Sequence, residues 1–287
     1  MKTGKVELSH PDKVLFGKSG LTKKDLADYY ERIADTMIRH IKGRPITLKR
    51  YPEGIDGEGF FNKHAPDYFP DYIERIEVPQ RSKDDQPTKM IIINEAADLV
   101  YLAGQDVLSL HMGLSKKDDL EKPDQIIFDL DPSDEDFDKV RRTALALKDM
   151  LDDKGLPGFV KTSGSRGLHI HIPIKPEKDF SVIKDVARDL AEEFNESEPD
   201  LTTLEHRKNK RGDKVFLDIL RNDYGMTAIA PYSTRARYRA PLAVPLSWSE
   251  ISDSELSPQK YTIENIFRRL SQKDDPWADF YKHAVKV

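Results

Sequence analysis

Between Leu21 and Ile41 apolar residues recur every three or four positions, at Leu26, Tyr29, Tyr30, Ile33, Met37 and Ile41, which predicts an amphipathic helix. Thr22 and Asp25 have the spacing of a capping box at its start. Beyond Pro45, Ile46 to Arg50 reads as a strand, and Met90 to Asn94 as a second, short and buried one. Arg81 to Thr88 is polar, contains Pro87 and reads as a loop.

The second half is patterned more regularly. Gln125 to Leu130 is a strand running into Asp131-Pro132. Ser133 is placed to cap the helix that follows, and Asp134, Glu135 and Asp136 suit its positive end. Phe137, Val140, Ala144, Leu147 and Leu151 form that helix's apolar stripe, and Gly155 stops it. Strands follow at Gly158 to Thr162 and Leu168 to Ile174, with a Gly/Ser turn between them. Val182, Val186, Leu190 and Phe194 mark another helix, ending in acidic Glu196 to Asp200, and Val215 to Leu220 is a strand. Pro231 to Pro245 is basic, punctuated by proline and expected to be irregular; Asn265 to Leu270 and Trp277 to Val285 read as terminal helical pieces. From Gln125 the order strand, helix, strand, strand, helix, strand predicts an α+β unit of the split-βαβ type, packed against an N-terminal α/β module. With no Gly/Ser-rich linker between the halves, the expectation is one domain over 1–287, with approximate modules 1–120 and 121–287.

Composition narrows the chemistry. The chain has 287 residues and no cysteine, which excludes disulfides, thiol nucleophiles and thiolate-held metals. No apolar run reaches a membrane span, and Met1 to His10 lacks the apolar stretch of a signal peptide, so a soluble cytoplasmic protein with no membrane partner is expected. The net charge of −5 hides a separation: from Glu205 to Ala240 nine Lys and Arg face four acids, a local +5. A basic stretch beside acids suits a polyanionic substrate.

Asp129 and Asp131 are two apart on a strand and so share a face, while Phe128 and Leu130 point to a core. Adjacent carboxylates repel; a divalent cation with a preference for oxygen removes that penalty. The plain alternative is surface alternation before a helix cap. Asp218 stands in the apolar strand Val215-Phe216-Leu217-Asp218-Ile219-Leu220, where a carboxylate is costly unless it pairs with Arg211 or Arg221 or binds metal. Three such acids are the minimum for a two-metal phosphoryl-transfer site. Lys161-Thr162-Ser163-Gly164-Ser165-Arg166-Gly167 is suited to close backbone N–H groups on a phosphate, although it is not a Walker loop. In Leu168-His169-Ile170-His171-Ile172 the histidines share a face; metal, phosphate and structural roles are all open, with His169 nearest the turn. Lys49-Arg50 and Gly59-Phe60-Phe61-Asn62-Lys63-His64 set aromatics among cations, a pattern for stacking on bases unless one ring is core.

Together these elements resemble the primase–polymerase superfamily, in particular the polymerase domain of bacterial ligase D and its stand-alone archaeal relatives. The landmarks are Pro11-Asp12-Lys13-Val14-Leu15-Phe16, Lys49-Arg50-Tyr51-Pro52, Phe60-Phe61-Asn62-Lys63, His111, Asp129-Leu130-Asp131-Pro132, Ser163 to His169, Leu217-Asp218 and Arg235-Ala236-Arg237. The resemblance implies a primase–polymerase fold with an RRM-like catalytic module. It also implies template-directed nucleotidyl transfer at gaps and breaks during non-homologous end joining, using ribonucleotides or deoxyribonucleotides. Asp129, Asp131 and Asp218 would hold two Mn²⁺ or Mg²⁺ ions. Ser163, Arg166 and His169, with His111, Arg211, Arg235, Lys49 and Arg237, would hold the incoming nucleotide. Lys13, Lys23 and His10 would meet a downstream 5′-phosphate, and Phe60 or Phe61 would stack on a template base. His10 stands where the family more often has an amide, and Arg166 where lysine is frequent. Implied partners are 5′-phosphorylated DNA, NTP or dNTP, Ku and a DNA ligase, which does not fit in this length and so is expected as a separate chain unless the sequence is an excised domain; the implied location is the prokaryotic cytoplasm, at the nucleoid. Two other readings are a primase starting chains de novo and a non-catalytic module binding DNA ends.

Overall fold

The computed structural model describes the backbone of residues 2–3 and all of residues 6–81 and 86–287. Residues 82–85 of the loop expected at Arg81 to Thr88, and Met1, Gly4 and Lys5 of the polar N-terminus, lie outside the described residues. In chain order the elements are β1 (Lys2–Thr3), β2 (Val6–Glu7), α1 (Lys23–Ile41), β3 (Ile46–Arg50), β4 (Phe60–Asn62), β5 (Arg75–Val78), β6 (Thr88–Ile91), α2 (Ala96–Gly104), β7 (Val107–Gly113), β8 (Ser115–Lys116) and β9 (Asp119–Pro123). Then come β10 (Gln125–Pro132), α3 (Phe137–Asp153), β11 (Phe159–Thr162), β12 (Leu168–Pro173), α4 (Phe180–Ser197), β13 (Thr202–Thr203), β14 (Val215–Asp218), β15 (Thr227–Ile229), β16 (Pro245–Leu246), α5 (Trp248–Ile251) and α6 (Ile266–Leu270). Among the described residues no helix is long and apolar enough to cross a membrane.

The chain forms two compact units. The first comprises residues 1–118, 227–243 and 261–273; the second comprises 119–226, 244–260 and 274–287. In the first, the sheet order is β15-β7-β3-β6-β5, with β4 also paired to β3. The capping box foreseen at Thr22 is formed: the Thr22 side chain accepts from Asp25 N, and the Asp25 carboxylate accepts from Thr22 N. The α1 stripe Leu26, Tyr30, Ile33, Met37 and Ile41 is fully buried, as are Ile46, Leu48, Leu108 and Leu110 of the sheet. The other face of β3 and β7 presents Lys49, Ser109 and His111, because side chains alternate along a strand.

In the second unit the sheet order is β13-β14-β10-β12-β11-β16. Taken without its two edge additions, the spatial order is fourth, first, third, second strand, every neighbour antiparallel. This is the α+β split-βαβ arrangement expected from the pattern. Ile126, Phe128 and Leu130 pair with Ile172, Ile170 and Leu168 and make one buried face. Asp129, His169 and Asp218 belong to the other.

Four local expectations are corrected. Ser133 does not cap α3: Asp136 does, accepting from Asp138 N and Lys139 N, while Ser133 Oγ donates to Lys214 O. An Asp one residue before the helix competes better for the free N–H groups than a Ser four residues before it. The buried face of α4 is Phe180, Ile183, Ala187, Leu190, Ala191 and Phe194, with Val182 exposed. Phe180, Ile183 and Ala187 share the face of Leu190 and Phe194 at three- and four-residue spacing, which turns Val182 outward. The strand at Val215 ends at Asp218 and passes into a 3₁₀ turn, Leu220–Asn222. The Trp277–Val285 piece carries only one 3₁₀ turn, Phe280–His283, and its Trp277 packs on Phe159 and His171.

Candidate functional site

The strand register of the second unit builds a row. Asp218 lies opposite Asp129, Asp129 opposite His169, and His169 opposite Lys161, so four polar side chains stand side by side across four strands. Neighbouring strands are about 4.8 Å apart, which brings such cross-strand pairs into contact. His169 Nε2 is 3.3 Å from Asp129 Oδ1. Asp131, two residues along the same face, sits opposite Phe216. Lys161 is wholly buried and lends positive potential to Asp129, as does Arg221. These cations do not compensate for the acids: burial, then Asp131, then Asp218 push the Asp129 carboxyl up to about 8. Asp218 Oδ1 accepts from Leu220 N at 2.8 Å, which fixes that side chain where its strand ends.

The carboxylates fit a hard divalent cation in kind. All three donors are oxygens, and the raised Asp129 carboxyl reports negative charge that a cation would relieve. Among the described residues no group of three or more His, Asp or Glu side chains stands already gathered as a metal cage.

The Gly/Ser turn is pinned beside this row. Ser163 Oγ accepts from Ser165 N at 3.2 Å and Gly167 N at 3.1 Å, and Ser163 N donates to Gly167 O at 3.0 Å. A Cβ at Gly167 would lie 1.9 Å from Leu130 O, the carbonyl between Asp129 and Asp131. Only glycine lets the turn approach the acid strand so closely. Two of the N–H groups expected to face a phosphate are therefore engaged by Ser163 itself, and Arg166 stands exposed at the tip.

The remaining residues nominated by the sequence fall into separate groups. Arg211 is buried; its guanidinium donates to Glu205 O and His206 O, both at 2.8 Å, and lies 3.6 Å over the Phe216 ring. His171 is a core residue, with Nδ1 2.8 Å from Gln125 Oε1 and its ring against Trp277. In the first unit, Lys49, Phe61, His111, Arg235 and Arg237 line one pocket of about 220 Å³ together with Tyr51, Ser109 and Ala236. Both phenylalanines are exposed, Phe60 by 47% and Phe61 by 58%, which removes the reading in which one of them is core. Phe61 stands 5.3 Å from the His111 ring with Lys49 Nζ 4.9 Å from its centre; Phe60, on the other face, has Arg50 near it.

Lys13 and Lys23 converge on one carboxylate, with Asp106 Oδ2 3.0 Å from Lys13 Nζ and Oδ1 2.9 Å from Lys23 Nζ. Lys23 is 3% exposed and also donates to Gly104 O; Lys13 keeps an exposed flank in the same turn as exposed His10. Sequence reasoning missed Asp106, because its partners are 83 and 93 residues away. Lys161 reads in the sequence only as the start of the phosphate turn; its place beside His169 comes from the β11–β12 register, which the sequence does not show.

A sequence model described as the LigD primase-polymerase domain matches residues 22–277. The chain belongs to the LigD primase-polymerase domain family. Domains of this family are metal-dependent, DNA-directed nucleotidyltransferases. The chain is 32% identical to the bifunctional non-homologous end joining protein LigD of Bacillus subtilis, over 97% of this chain and 44% of that one. It is 34% identical to the multifunctional LigD of Mycolicibacterium smegmatis, over 94% of this chain and 35% of that one. The chain thus spans less than half the length of these curated LigD relatives. Among solved structures it resembles the polymerase domain of Mycobacterium tuberculosis ligase D in complex with DNA, with TM-score 0.89, 32% identity, and coverage of 98% of this chain and 99% of that one.

Proposed function

We propose that this LigD-type domain extends DNA 3′ ends at gaps and double-strand breaks by template-directed nucleotidyl transfer, accepting ribonucleotides as well as deoxyribonucleotides, as one step of non-homologous end joining. The observation that carries this reading is the row Asp218–Asp129–His169–Lys161 with Asp131 beside it and the Ser163–Gly167 turn packed against it. Asp129, Asp131 and Asp218 would hold two Mn²⁺ or Mg²⁺ ions. When bound, such ions supply charge stabilisation to the attacking and leaving oxygens. Asp218, at the end of its strand, would lie nearest the primer hydroxyl. His169 and Arg166 would orient the triphosphate, and Ser163 would act by holding the turn that carries Arg166. Lys49, His111, Arg235 and Arg237 supply a cationic pocket for the nucleotide, and Phe61 or Phe60 an exposed ring for a template base. Arg211 would serve by ordering the Glu205–Arg211 segment. Lys13 and His10 would meet a downstream 5′-phosphate, with Lys23 as the buried charge behind them. The chemistry asks for positioning and charge neutralisation rather than covalent help, and these groups provide both.

A DNA ligase activity and Ku are the partners this role would call on, in a prokaryotic cytoplasm at the nucleoid, and the two units would act as one primase–polymerase domain. The test is primer extension on a gapped duplex with and without a 5′-phosphate, comparing rNTP with dNTP in Mn²⁺ and in Mg²⁺. Templated addition, faster with the phosphate and lost by at least about a thousandfold in Asp129→Ala, is expected. Ordinary activity in Asp129→Ala would remove the metal-site assignment, and synthesis without a primer would favour a primase.

A further inference from the structure

The turn from Arg235 to Ala240 is held in a conformation its residues do not favour. Arg239 (φ 61) and Ala240 (φ 48) both occupy the left-handed region, which side chains with a Cβ adopt at a cost. The surroundings enforce it. Arg235 N donates to Pro241 O at 2.8 Å, Ala240 N to Arg237 O at 3.1 Å and Ile263 N to Ala240 O at 3.3 Å. Ala240 is fully buried, and Arg239 Nε donates to Glu264 Oε2 at 2.9 Å. The consequence is at the tip, where Tyr238 is 59% exposed between two exposed arginines, Arg237 and Arg239. Arg235, Ala236 and Arg237 also line the cationic pocket that contains Phe61, and Tyr238 is the next residue in the chain after that lining.

We propose that Tyr238 is a stacking platform for an unpaired base of a DNA strand, with Arg237 beside it for the flanking phosphate. A tyrosine on a hydrogen-bonded turn has only two side-chain torsions to lose on stacking, and stacking on an aromatic face tolerates any base. Glu264 offsets one of the three arginine charges at the tip, which leaves the turn cationic toward a polyanion. A free nucleotide would cover one ring face and gain little. A strand already bound elsewhere brings the base at high local concentration. The inference rests on the proposed function only in taking DNA as the partner.

The test is fluorescence anisotropy without NTP or divalent metal, using a blunt duplex and the same duplex carrying an unpaired 5′ overhang. Tyr238→Ala is expected to weaken overhang binding about 5- to 100-fold. Blunt-duplex binding and melting temperature should stay unchanged, because the ring is exposed. Tyr238→Trp should restore overhang binding, with its added emission quenched by the DNA, and Tyr238→Leu should not. Wild-type affinity of Tyr238→Ala for the overhang duplex, an equal loss on blunt duplex, rescue by leucine, or a loss confined to free NTP binding in a parallel titration would each overturn the proposal. Failure of the polymerase reading would show instead as no incorporation by the wild-type chain, and would leave these binding comparisons standing.

Discussion

Asp129 is a carboxyl group whose folded surroundings oppose its own ionisation. Burial, with Asp131 and Asp218, raises it to about 8, whereas in an unfolded chain it ionises near pH 4. A raised carboxyl favours the fold fully below its unfolded value, and that contribution is lost as pH rises through about 8. The metal-free protein should therefore be stabilised by Asp129→Asn, by about 4–10 °C at pH 8 and by less at pH 5, in differential scanning fluorimetry. Mn²⁺ should raise the wild-type melting temperature more at pH 8 than at pH 5, since protons compete with the ion for the same oxygens. A lower melting temperature for Asp129→Asn at pH 8 would show that the carboxylate is stabilised by something other than a cation. These acids were legible in the sequence because a charge in an otherwise apolar strand is an exception that needs a reason. Lys161 was not, because it sits at the edge of a polar turn, and only the pairing with β12 shows that it points inward to the acid row.

The strands and turns around the acids hold them by two devices. Where β14 ends at Asp218, Asn222 takes over its ladder: Asn222 Oδ1 accepts from Ile127 N at 2.7 Å, and Nδ2 donates to Ile127 O at 2.7 Å and Ile219 O at 2.8 Å. This amide ties the segment after Asp218 to the strand that carries Asp129. Asn222→Ala strips buried backbone groups of their partners, so it should cost about 1–3 kcal/mol in urea unfolding. It should also lower kcat more than it raises the nucleotide KM, because Asp218 loses its fixed position. Gly167→Ala pushes a Cβ into Leu130 O and should cost about 1–3 kcal/mol or more, with incorporation falling further than in Ser165→Ala. Element existence and order were readable from apolar periodicity. The register was not, because Asp129 and Asp218 are far apart in sequence and their pairing is decided by which faces the whole sheet buries. The rotation of α4 was missed because the buried stripe begins at the helix's first residue: Phe180, Ile183 and Ala187 run at three- and four-residue spacing into Leu190, Ala191 and Phe194, and leave Val182 on the outer face.

The charge of the whole chain misleads until it is placed in the fold. A net −5 suggests an unlikely partner for DNA, yet the +5 stretch from Glu205 to Ala240 is shared between the two units, its first part in the second unit and residues from 227 onward in the first. The run is continuous in sequence, but its residues are built into two different units. Lys208 and Lys210 lie in an exposed 3₁₀ turn, whereas Arg237 lines the pocket beside Phe61. Each cation that neutralises a phosphate releases counterions and steepens the salt dependence of binding by about one unit in the log–log slope. Binding of a gapped duplex, measured between about 50 and 200 mM salt, should therefore weaken steeply despite the acidic net charge. Arg237→Gln should lower the magnitude of the slope by about one, while Lys208→Gln with Lys210→Gln should leave it nearly unchanged. The reverse result would move the DNA path from the pocket wall to the 3₁₀ turn, and would assign Lys208 and Lys210 the contact that charge counting alone gives to the whole stretch.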